Sequence, residues 1–365
     1  MAQAVEEGST AGDGPFTRRC ESLLREQLNV PLALLTTSCT SALEMAALLS
    51  GIEPGDEIIL PSFTFVSTAN AFYLRGARLV FVEIRQDTLN MDETKLADAI
   101  SSNTKAIVPV HYAGVACEMN VINQLAQKKN LYVIEDAAQA IGATYEGSAL
   151  GTIGHMGTFS FHETKAVICG EGGALVSADA TFIERAEILR EKGTNRKKFF
   201  RGEIDKYTWV DVGSSYAPSD LLAAFLHVQL EQVSTIIDKR REIYQFYSGG
   251  LSPLAERGLL TLPVIPKNCE SNFTSFHILT IDELTRTALI EHLKSKGILA
   301  VFHYVPLHSS PMGQRLGYTA ADLPVTESIS RRVLRLPLYY DLSVDDRAEV
   351  VQEIYKFYNV KNTRG

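Results

Sequence analysis

Lys165 is the residue whose surroundings best suit a nucleophile or a base. It lies in a loop between two short apolar runs, Gly157–Phe161 and Ala174–Val176, and the glycine-rich segment Gly170–Gly173 follows it. A lysine that is partly buried in such a loop has a lowered pKa, so its neutral amine becomes nucleophilic. The alternative is an ordinary solvent-exposed lysine. The GEGG segment is not a dinucleotide fingerprint, because it lacks the G-x-G-x-x-G spacing and precedes a strand.

An acidic residue and an amide follow another apolar run. Asp136 comes directly after Leu131–Glu135, and Gln139 lies three residues further on. A carboxylate at the end of a buried strand is costly unless a cation or hydrogen bonds stabilise it. Asp136 is therefore either the cap of a following helix or a partner for a protonated heterocyclic nitrogen.

Hydroxyl side chains follow the first apolar run, Leu32–Leu35. The segment Thr36–Leu43 reads TTSCTSAL and leads into helical sequence. Free N–H groups at the start of a helix, together with hydroxyl groups, bind phosphate. Helix capping is the commoner use of such residues, so both interpretations stay open.

An aromatic residue completes the set. After Glu57–Leu60 the chain reads PSFTF and ends that segment at Phe65. The ring of Phe65 either stacks on a flat ligand or packs in the core. Ligands of open α/β sheets bind beyond the carboxyl ends of the strands. A phosphate site, a stacking ring, a carboxylate and a lysine 29 residues after that carboxylate match the needs of pyridoxal 5′-phosphate (PLP).

The elements that must position these residues alternate between strand and helix. Such alternation predicts an α/β fold with a mostly parallel, seven-stranded sheet covered on both faces. The last two strands are close in sequence, which favours an antiparallel or irregular connection there. The predicted strands are Leu32–Leu35, Glu57–Leu60, Arg78–Val82, Ala106–Val110, Leu131–Glu135, Gly157–Phe161 and Ala174–Val176.

The pattern changes near residue 220, and a chain of 365 residues exceeds the size of a single core. We predict a large domain over residues 1–240 and a smaller α+β domain over residues 241–365. Ser343 is the expected N-cap of a closing helix that runs to about Phe357. The other predicted elements are a long helix over Asp220–Tyr247 with a break at Gly249–Gly250, strands over Ser275–Ile281 and Ala300–Tyr304, and a helix over Thr287–Lys296.

Composition and charge indicate which binding partners and which cell compartment to expect. With 35 basic and 43 acidic residues the net charge is −8, which argues against nucleic acid and anionic membranes as partners. The five cysteines are widely spaced without a CxxC pair, so we expect free thiols and no metal site. The N-terminal sequence lacks the features of a signal peptide, and no window is apolar enough to span a membrane. These observations predict a cytoplasmic protein.

Eight segments together resemble one known family, in that family's order. They are Gly12–Thr17, Thr37–Ala46, Gly55–Ala71, Pro109–Gly114, Ile134–Ala140, Phe159–Lys165, Gly170–Gly173 and Val301–His308. The chain is thereby similar over nearly its whole length to the DegT/DnrJ/StrS sugar-nucleotide aminotransferases, which are fold-type-I PLP-dependent transferases. Within them, Arg190–Tyr216 resembles the dTDP-4-amino-4,6-dideoxygalactose transaminases. Relatives usually carry more residues ahead of the first of these segments, so we expect either a naturally short start or a truncated N-terminus here.

The resemblance implies a role for each site residue. Lys165 looks like the lysine that binds PLP covalently and then carries the proton, and Asp136 looks like the partner of the pyridine nitrogen. Ser215 stands where many relatives have an asparagine that reaches the phosphate from the neighbouring subunit. The other implied cofactor contacts are Gln139 to the phenolic oxygen, Phe65 as the stacking ring, and Thr40, Ser41 and Ser160 to the phosphate; the implied sugar-nucleotide contacts are Arg196, Tyr207, His303, Tyr304 and His308.

The resemblance also implies a reaction. L-glutamate would donate its amino group to a dTDP-4-keto-6-deoxyhexose, giving dTDP-4-amino-4,6-dideoxygalactose and 2-oxoglutarate for surface polysaccharides such as lipopolysaccharide, in a homodimer with shared active sites. Alternatives are amination at C3, a UDP-linked substrate, or a regulator that retains the fold. Related sugar 3-dehydratases carry a histidine in place of the lysine, so Lys165 favours amine transfer.

Overall fold

The alternating apolar and helical segments fold into an α/β structure in the computed structural model, which describes residues 1–361. The strands are β1 (Leu32–Thr36), β2 (Glu57–Pro61), β3 (Arg78–Val82), β4 (Thr104–Ile107), β5 (Tyr132–Asp136), β6 (Thr144–Tyr145), β7 (Ser148–Ala149), β8 (Met156–Ser160), β9 (Gly173–Ser177), β10 (Leu260–Thr261), β11 (Cys269–Glu270), β12 (Phe276–Thr280) and β13 (Val333–Leu336). The helices are α1 (Ala2–Glu6), α2 (Pro15–Leu28), α3 (Cys39–Leu49), α4 (Val66–Tyr73), α5 (Leu96–Ala99), α6 (Met119–Lys129), α7 (Ile183–Arg190), α8 (Arg196–Phe200), α9 (Asp220–Glu231), α10 (Val233–Glu256), α11 (Glu283–Ser295), α12 (Pro311–Arg315), α13 (Pro324–Arg332) and α14 (Val344–Phe357).

The predicted mostly parallel sheet of seven strands is confirmed. Its order is β1-β9-β8-β5-β4-β2-β3. Only β9 runs antiparallel, between β1 and β8, as the short connection before it suggested. The carboxyl ends of the six parallel strands and the start of β9 therefore meet at one edge of the sheet, which is where an open α/β sheet binds its ligands.

Both faces of this sheet are buried, as the apolar strands require. Along β1, Ala33 and Leu35 belong to one apolar cluster, whereas Leu32 and Leu34 belong to another. Because successive side chains of a strand point to opposite faces, the two clusters are the two layers of the large core. Helices α2, α6 and α9 cover the first face, and helices α3, α4 and α7 cover the second.

A second core lies in the C-terminal part of the chain. It is built around the antiparallel sheet β10-β12-β13, with α11 against the sheet and α14 packed on α10 and α11. The predicted N-cap is confirmed, since the Ser343 side chain accepts from the backbone N–H of Asp346. The predicted strand over Ala300–Tyr304 is wrong, because that segment makes only one bridge, from Val301 to Arg335, before it turns towards the large sheet.

The break expected at Gly249–Gly250 is also wrong. The long helical segment is interrupted earlier, at Gln232, and α10 continues through both glycines to Glu256. Helix α14 accounts for this, because the Tyr355 hydroxyl donates to the Gly250 carbonyl at 3.0 Å. Close packing there outweighs the roughly 1 kcal/mol that glycine costs in a helix. Since α10 crosses residue 240, the division into residues 1–240 and 241–365 stays a prediction.

Two further properties bear on the partners. Over residues 1–361, no helix combines the length and the apolar character that crossing a bilayer demands. Within the same range no cluster of three metal-ligating side chains occurs. All five cysteines are buried as free thiols.

Candidate active site

A cavity of about 610 Å³ lies at the carboxyl edge of the large sheet, closed on one side by the C-terminal part of the chain. The edge of the sheet brings most of the predicted residues together, because they lie at or after the ends of β1, β2, β5 and β8, whereas His303 and Tyr304 come from the segment between α11 and α12. The predicted residues that line the cavity are Thr40, Phe65, Asp136, Gln139, Ser160, Lys165, His303 and Tyr304.

Lys165 lies in the turn that connects β8 to β9, with its backbone N–H bonded to the His162 carbonyl. Burial lowers the pKa of its amine, because an ammonium group loses hydration there, and the positive Arg335 acts in the same direction. The nearby Cys39 and Asp136 oppose this shift only in part. The side chain is therefore an amine that gives up its proton more readily than an exposed lysine does.

Asp136 ends β5 and is only 5% exposed. Its Oδ2 atom accepts from the Thr68 hydroxyl at 2.6 Å, and its Oδ1 atom accepts from the Ala138 N–H at 3.1 Å. The single proton of Thr68 points to Asp136, so the neighbouring Thr64 must donate to Thr68 across their 2.8 Å contact. Among residues 1–361 no basic side chain pairs with Asp136, so this buried carboxylate is available to a protonated nitrogen of a ligand.

The start of α3 forms another part of the cavity wall. Ser38 caps the helix by accepting from the Ser41 N–H at 3.1 Å, while Thr40 bonds to the Ser67 hydroxyl at 2.7 Å. Helix capping and phosphate binding, the two interpretations of this segment, are therefore compatible. Ser38 caps α3, and the N-terminus of α3 and Thr40 still face the cavity. Ser38, Cys39 and Thr40 line the cavity.

Gly173, the first residue of β9, permits this arrangement. A Cβ atom at this position would stand 2.4 Å from the Cys39 nitrogen and 2.4 Å from the Ser38 carbonyl carbon. Only a glycine therefore lets β9 approach the first turn of α3 this closely.

The two phenylalanines after β2 lie in different environments. Phe63 is buried and packs on Tyr112 and Tyr304. Phe65 is 58% exposed at the cavity, so its ring is free to stack on a flat ligand. Phe63, and not Phe65, is therefore the residue that packs in the core.

The segment that carries His303 and Tyr304 forms the far wall. His303 Nδ1 lies 3.0 Å from the Tyr112 hydroxyl, and the Tyr304 hydroxyl accepts from Gln139 Nε2 at 3.0 Å. Gln139 Oε1 in turn accepts from the Ala113 N–H at 2.9 Å. Burial, together with the charge of Arg335, lowers the pKa of His303 so far that the imidazole is neutral.

Five predicted residues do not line this cavity within one chain. His308 is fully buried, with Nδ1 at 2.7 Å from the Ser62 hydroxyl and Nε2 at 3.5 Å from a carboxylate oxygen of Glu327, so it positions its loop and does not face the cavity. The Ser41 hydroxyl is turned towards Thr37 at the start of α3. The other three, Arg196, Tyr207 and Ser215, lie on the surface of the α8 region.

Sequence reasoning missed several cavity residues, namely Thr68, Thr274, Ser275 and Arg335. No motif spacing identifies them, since Thr68 is 68 residues from the carboxylate that it bonds. Arg335 stands in the apolar segment VLRLP, and a charged residue within an otherwise apolar strand is the one signal that could have identified it.

The residues present fit PLP. The cavity offers a deprotonatable lysine, a buried carboxylate without a basic partner, a helix N-terminus with hydroxyl groups, and an exposed ring. These are respectively a covalent anchor, a partner for a pyridine nitrogen, a phosphate site and a stacking surface.

Comparison with known proteins agrees with this geometry. The sequence model of the DegT/DnrJ/EryC1/StrS aminotransferase family matches residues 1–355. The spore coat polysaccharide biosynthesis protein SpsC of Bacillus subtilis is 35% identical over 94% of this chain and 90% of that protein. The GDP-perosamine synthase of Escherichia coli O157:H7 is 32% identical over 95% of this chain and 92% of that protein.

Solved structures show the same fold. A DegT DnrJ EryC1 StrS aminotransferase from Brucella abortus superimposes with a TM-score of 0.88 and 31% identity, covering 98% of this chain and 93% of that one. The putative sugar aminotransferase Spr1654 from Streptococcus pneumoniae, solved in a PLP form, gives a TM-score of 0.91 at 24% identity, covering 98% and 94% of the two chains. At 24% identity, this second similarity shows the fold alone.

Proposed function

Because this chain belongs to the DegT/DnrJ/EryC1/StrS aminotransferase family and is a PLP-dependent sugar aminotransferase, we propose that it transfers the amino group of L-glutamate to C4 of a dTDP-4-keto-6-deoxyhexose. The products are dTDP-4-amino-4,6-dideoxygalactose and 2-oxoglutarate. The amino sugar then serves the synthesis of a surface polysaccharide such as lipopolysaccharide.

One observation carries the proposal of amine transfer: Lys165 and Asp136 face one cavity, the first with a lowered pKa and the second without a basic partner. The cofactor, when bound, supplies a protonated pyridine ring that accepts the electron pair left on the α-carbon of the amino acid. Lys165, as a neutral amine, takes the proton from that α-carbon and delivers it on the cofactor side. Asp136 keeps the ring nitrogen protonated, and Thr68 holds the carboxylate in place.

The remaining cavity residues bind and orient. Thr40, Ser160 and the N–H groups at the start of α3 hold the phosphate, and Phe65 stacks on the ring. Gln139 is fixed by Ala113 and Tyr304, so it presents its side chain in one orientation to the phenolic oxygen. His303 and Tyr304 form the wall that the substrate meets.

The choice of sugar rests on sequence similarity and on one relative. The segment Arg190–Tyr216 is similar to transaminases that act on the dTDP-4-keto sugar. The relative that is a GDP-perosamine synthase is named for a nucleotide-linked sugar. Both support a nucleotide-linked keto sugar as the amino acceptor, with the dTDP-linked 4-keto sugar as the first to test.

A second copy of the chain completes the site in this proposal. Arg196, Tyr207 and Ser215 lie away from the cavity of their own chain, on a surface with several exposed apolar side chains, including Trp209 at 76% exposure. In a homodimer these residues are available to the cavity of the partner, where Ser215 would reach the phosphate and the other two would meet the sugar nucleotide. Such apolar surface is typical of an interface between subunits.

The direct test incubates the PLP-loaded enzyme with dTDP-4-keto-6-deoxyglucose and L-glutamate. We expect stoichiometric 2-oxoglutarate and a 4-amino product whose galacto configuration at C4 is read by NMR. The Lys165→Ala variant should lose the visible absorbance of the bound cofactor and all turnover, whereas Lys129→Ala, at an exposed position of α6, should behave as wild type. Turnover by Lys165→Ala would refute the role of the lysine. Amination only of a UDP-linked, GDP-linked or 3-keto substrate would refute the proposed sugar.

A further inference from the structure

Two hydrogen-bond donors stand side by side on the cavity wall that His303 and Tyr304 form. The two rings lie against each other with their centroids 3.5 Å apart, and both line the cavity that Lys165 also lines. Phe63, which is buried after β2, packs edge-on against the Tyr304 ring with the centroids 5.6 Å apart. The wall thus has a fixed place, and its neighbours decide where its polar hydrogens point.

Tyr112 decides which nitrogen of His303 carries the proton. Tyr112 is 1% exposed, and its hydroxyl has one hydrogen-bond partner among residues 1–361, the Nδ1 atom of His303 at 3.0 Å. The phenol must donate there, because burial raises its pKa and a buried O–H without an acceptor is costly. Nδ1 is then an acceptor, so the single proton of the neutral imidazole lies on Nε2. Within the same residues Nε2 makes no hydrogen bond, which leaves its N–H to the cavity.

Gln139 directs the Tyr304 hydroxyl in a similar way. Gln139 Oε1 accepts from the Ala113 N–H at 2.9 Å, so the other terminal atom is the amide nitrogen, which donates to the Tyr304 oxygen at 3.0 Å. The proton of Tyr304 itself has no acceptor in the part of the chain that the structure describes. Burial raises the pKa of this phenol, so the proton is retained and forms a second donor at the wall.

The complement of this wall is an oxygen atom that only accepts hydrogen bonds. Two neutral donors suit a carbonyl oxygen, because its two lone pairs take two hydrogen bonds. A sugar hydroxyl would need an acceptor for its own proton. An anion would be matched better by a cation, and burial together with the charge of Arg335 keeps His303 from becoming one.

We propose that the His303 Nε2–H and the Tyr304 O–H together bind the carbonyl oxygen of the keto substrate. Tyr112 and Gln139 are the positioning residues that orient these two donors. The assignment rests on the proposed transamination. It makes His303 and Tyr304 catalytic residues, because they touch the group that reacts.

The carbonyl oxygen is also the atom that the reaction removes. The amine nitrogen bonds to the ketone carbon, the π electron pair of the C=O bond moves to the oxygen, and the oxygen leaves as water with the two hydrogens of the amine. Negative charge develops on the oxygen during this step, and donors already aimed at it stabilise that charge. This oxygen is bonded to the carbon at which Lys165 moves a proton, and the charge of Lys165 acts on His303 across the cavity.

The tautomer of His303 can be measured without turnover. In the PLP-loaded protein with isotope-labelled histidine, nitrogen NMR should show an unprotonated Nδ1 and a protonated Nε2, with the signal assigned by its loss in His303→Phe. Tyr112→Phe keeps the ring that packs on Phe63 and removes only the donor, so the tautomer should become mixed. Tyr340→Phe, at an exposed position after β13, is the control and should leave the tautomer and all rates unchanged.

Single-turnover rates test the contact with the carbonyl oxygen. After conversion of the enzyme to its amine form by L-glutamate, the return with saturating 2-oxoglutarate should slow about 100-fold in His303→Phe and in Tyr304→Phe. Tyr112→Phe should slow it about 10-fold, because the donor remains but is no longer oriented. The return with the keto sugar nucleotide should slow alike, since a ketone oxygen is lost there too.

An isotope effect separates this role from a general disturbance of the site. With α-deuterated glutamate, the deuterium isotope effect of the glutamate half-reaction should fall towards one in His303→Phe and Tyr304→Phe. The carbonyl step, run in reverse to release 2-oxoglutarate, then limits the rate, and the proton transfer by Lys165 does not. A displaced cofactor would instead slow the proton transfer as well and keep the isotope effect.

Three results would overturn the assignment. The first is a wild-type His303 with its proton on Nδ1, and the second is an undiminished isotope effect in the slowed variants. The third is a Tyr304→Phe variant that shifts the cofactor absorbance without slowing the return with ketones, which would assign this hydroxyl to the phenolic oxygen of PLP. A wild type that has the predicted tautomer but aminates no ketone would contradict the proposed function and the carbonyl contact with it, and would leave only the orientation of His303 by Tyr112.

Discussion

Lys165 and Asp136 share a cavity, and yet they do not neutralise each other. The charge of Asp136 raises the proton affinity of the lysine, but burial lowers it by more, and Arg335 adds to the lowering. The net result is a readily deprotonated amine beside a buried carboxylate held by Thr68 and Ala138. Burial thus prepares one group as a base while hydrogen bonds keep the other as an acceptor.

This balance predicts the pH dependence of cofactor uptake by the cofactor-free protein. Lys165 reacts with the aldehyde of PLP only as a neutral amine, so the uptake rate should rise with pH and level off once the amine is deprotonated. Because the pKa of Lys165 is lowered from 10.5, the plateau should begin at a lower pH than for an exposed lysine. Stopped-flow absorbance across a pH series measures the profile.

Nα-acetyl-L-lysine, treated with PLP under the same conditions, is the reference for that profile, because the ionisation of PLP itself affects both reactions equally. A protein profile that coincides with the profile of the free amine would contradict the lowered pKa. Lys165→Ala should show no saturable uptake at any pH.

At the scale of elements, the cavity depends on how closely β9 approaches the first turn of α3. Gly173 occupies the contact point, opposite Thr36 of β1. The capped end of α3 is fixed by Ser38, so it has little room to move away. The proposed phosphate site therefore depends on a glycine at position 173, because a side chain there would collide with the first turn of α3.

We expect Gly173→Ala to displace β9 or α3, because the new Cβ would lie 2.4 Å from backbone atoms of Ser38 and Cys39. Overpacking of this kind costs about 1–3 kcal/mol. The free energy of unfolding should fall by that amount, and the dissociation constant of PLP should rise by about 10-fold or more. Thermal denaturation and cofactor titration measure the two effects.

Gly249→Ala is the matched control for that substitution. Gly249 lies inside α10 with open space around its Cα, so the added methyl group should stabilise the protein by about 0.5–1 kcal/mol without changing the affinity for PLP. If Gly173→Ala keeps the wild-type affinity for PLP, the close approach of β9 does not shape the phosphate site.

At the scale of the whole molecule, the exposed apolar side chains and the residues absent from the cavity lie in the same region. Trp209 and Tyr207 are more than half exposed between α8 and α9, and Phe225 and Val228 of α9 are also exposed. Phe65, at the cavity, is open to solvent as well. An acidic chain that exposes this much apolar surface would gain free energy by covering it with a second copy.

The prediction is a dimer that Trp209→Asp dissociates. Sedimentation at micromolar concentration should give twice the mass of one chain for the wild type and one chain mass for the variant, because a charge is costly in an apolar interface. The variant should also need a higher concentration of the sugar nucleotide for half-maximal rate.

The control for dissociation is Leu284→Asp. Leu284 is also a highly exposed apolar residue, at 82%, but it lies at the start of α11, outside the Trp209 region. It should leave the mass unchanged. A monomeric wild type, or a Trp209→Asp variant with unchanged mass and unchanged sugar affinity, would count against the shared site.

The sequence by itself determined the large sheet and the residues that directly follow its strands. Asp136, Phe65 and Lys165 were identifiable because parallel strands deliver their carboxyl ends to one edge, so position after a strand is already position in space. The same local logic identified the cap Ser343.

Only the tertiary structure decided which distant segments complete the cavity. Arg335 and Ser275 reach it from another sheet, His308 turns away into Ser62, and Gly250 stays helical because α14 packs against it. The physical reason is common to all of them. Their environment comes from residues far away in the sequence, so neither periodicity nor local propensity carries the information, and only the packing of distant segments against each other supplies it.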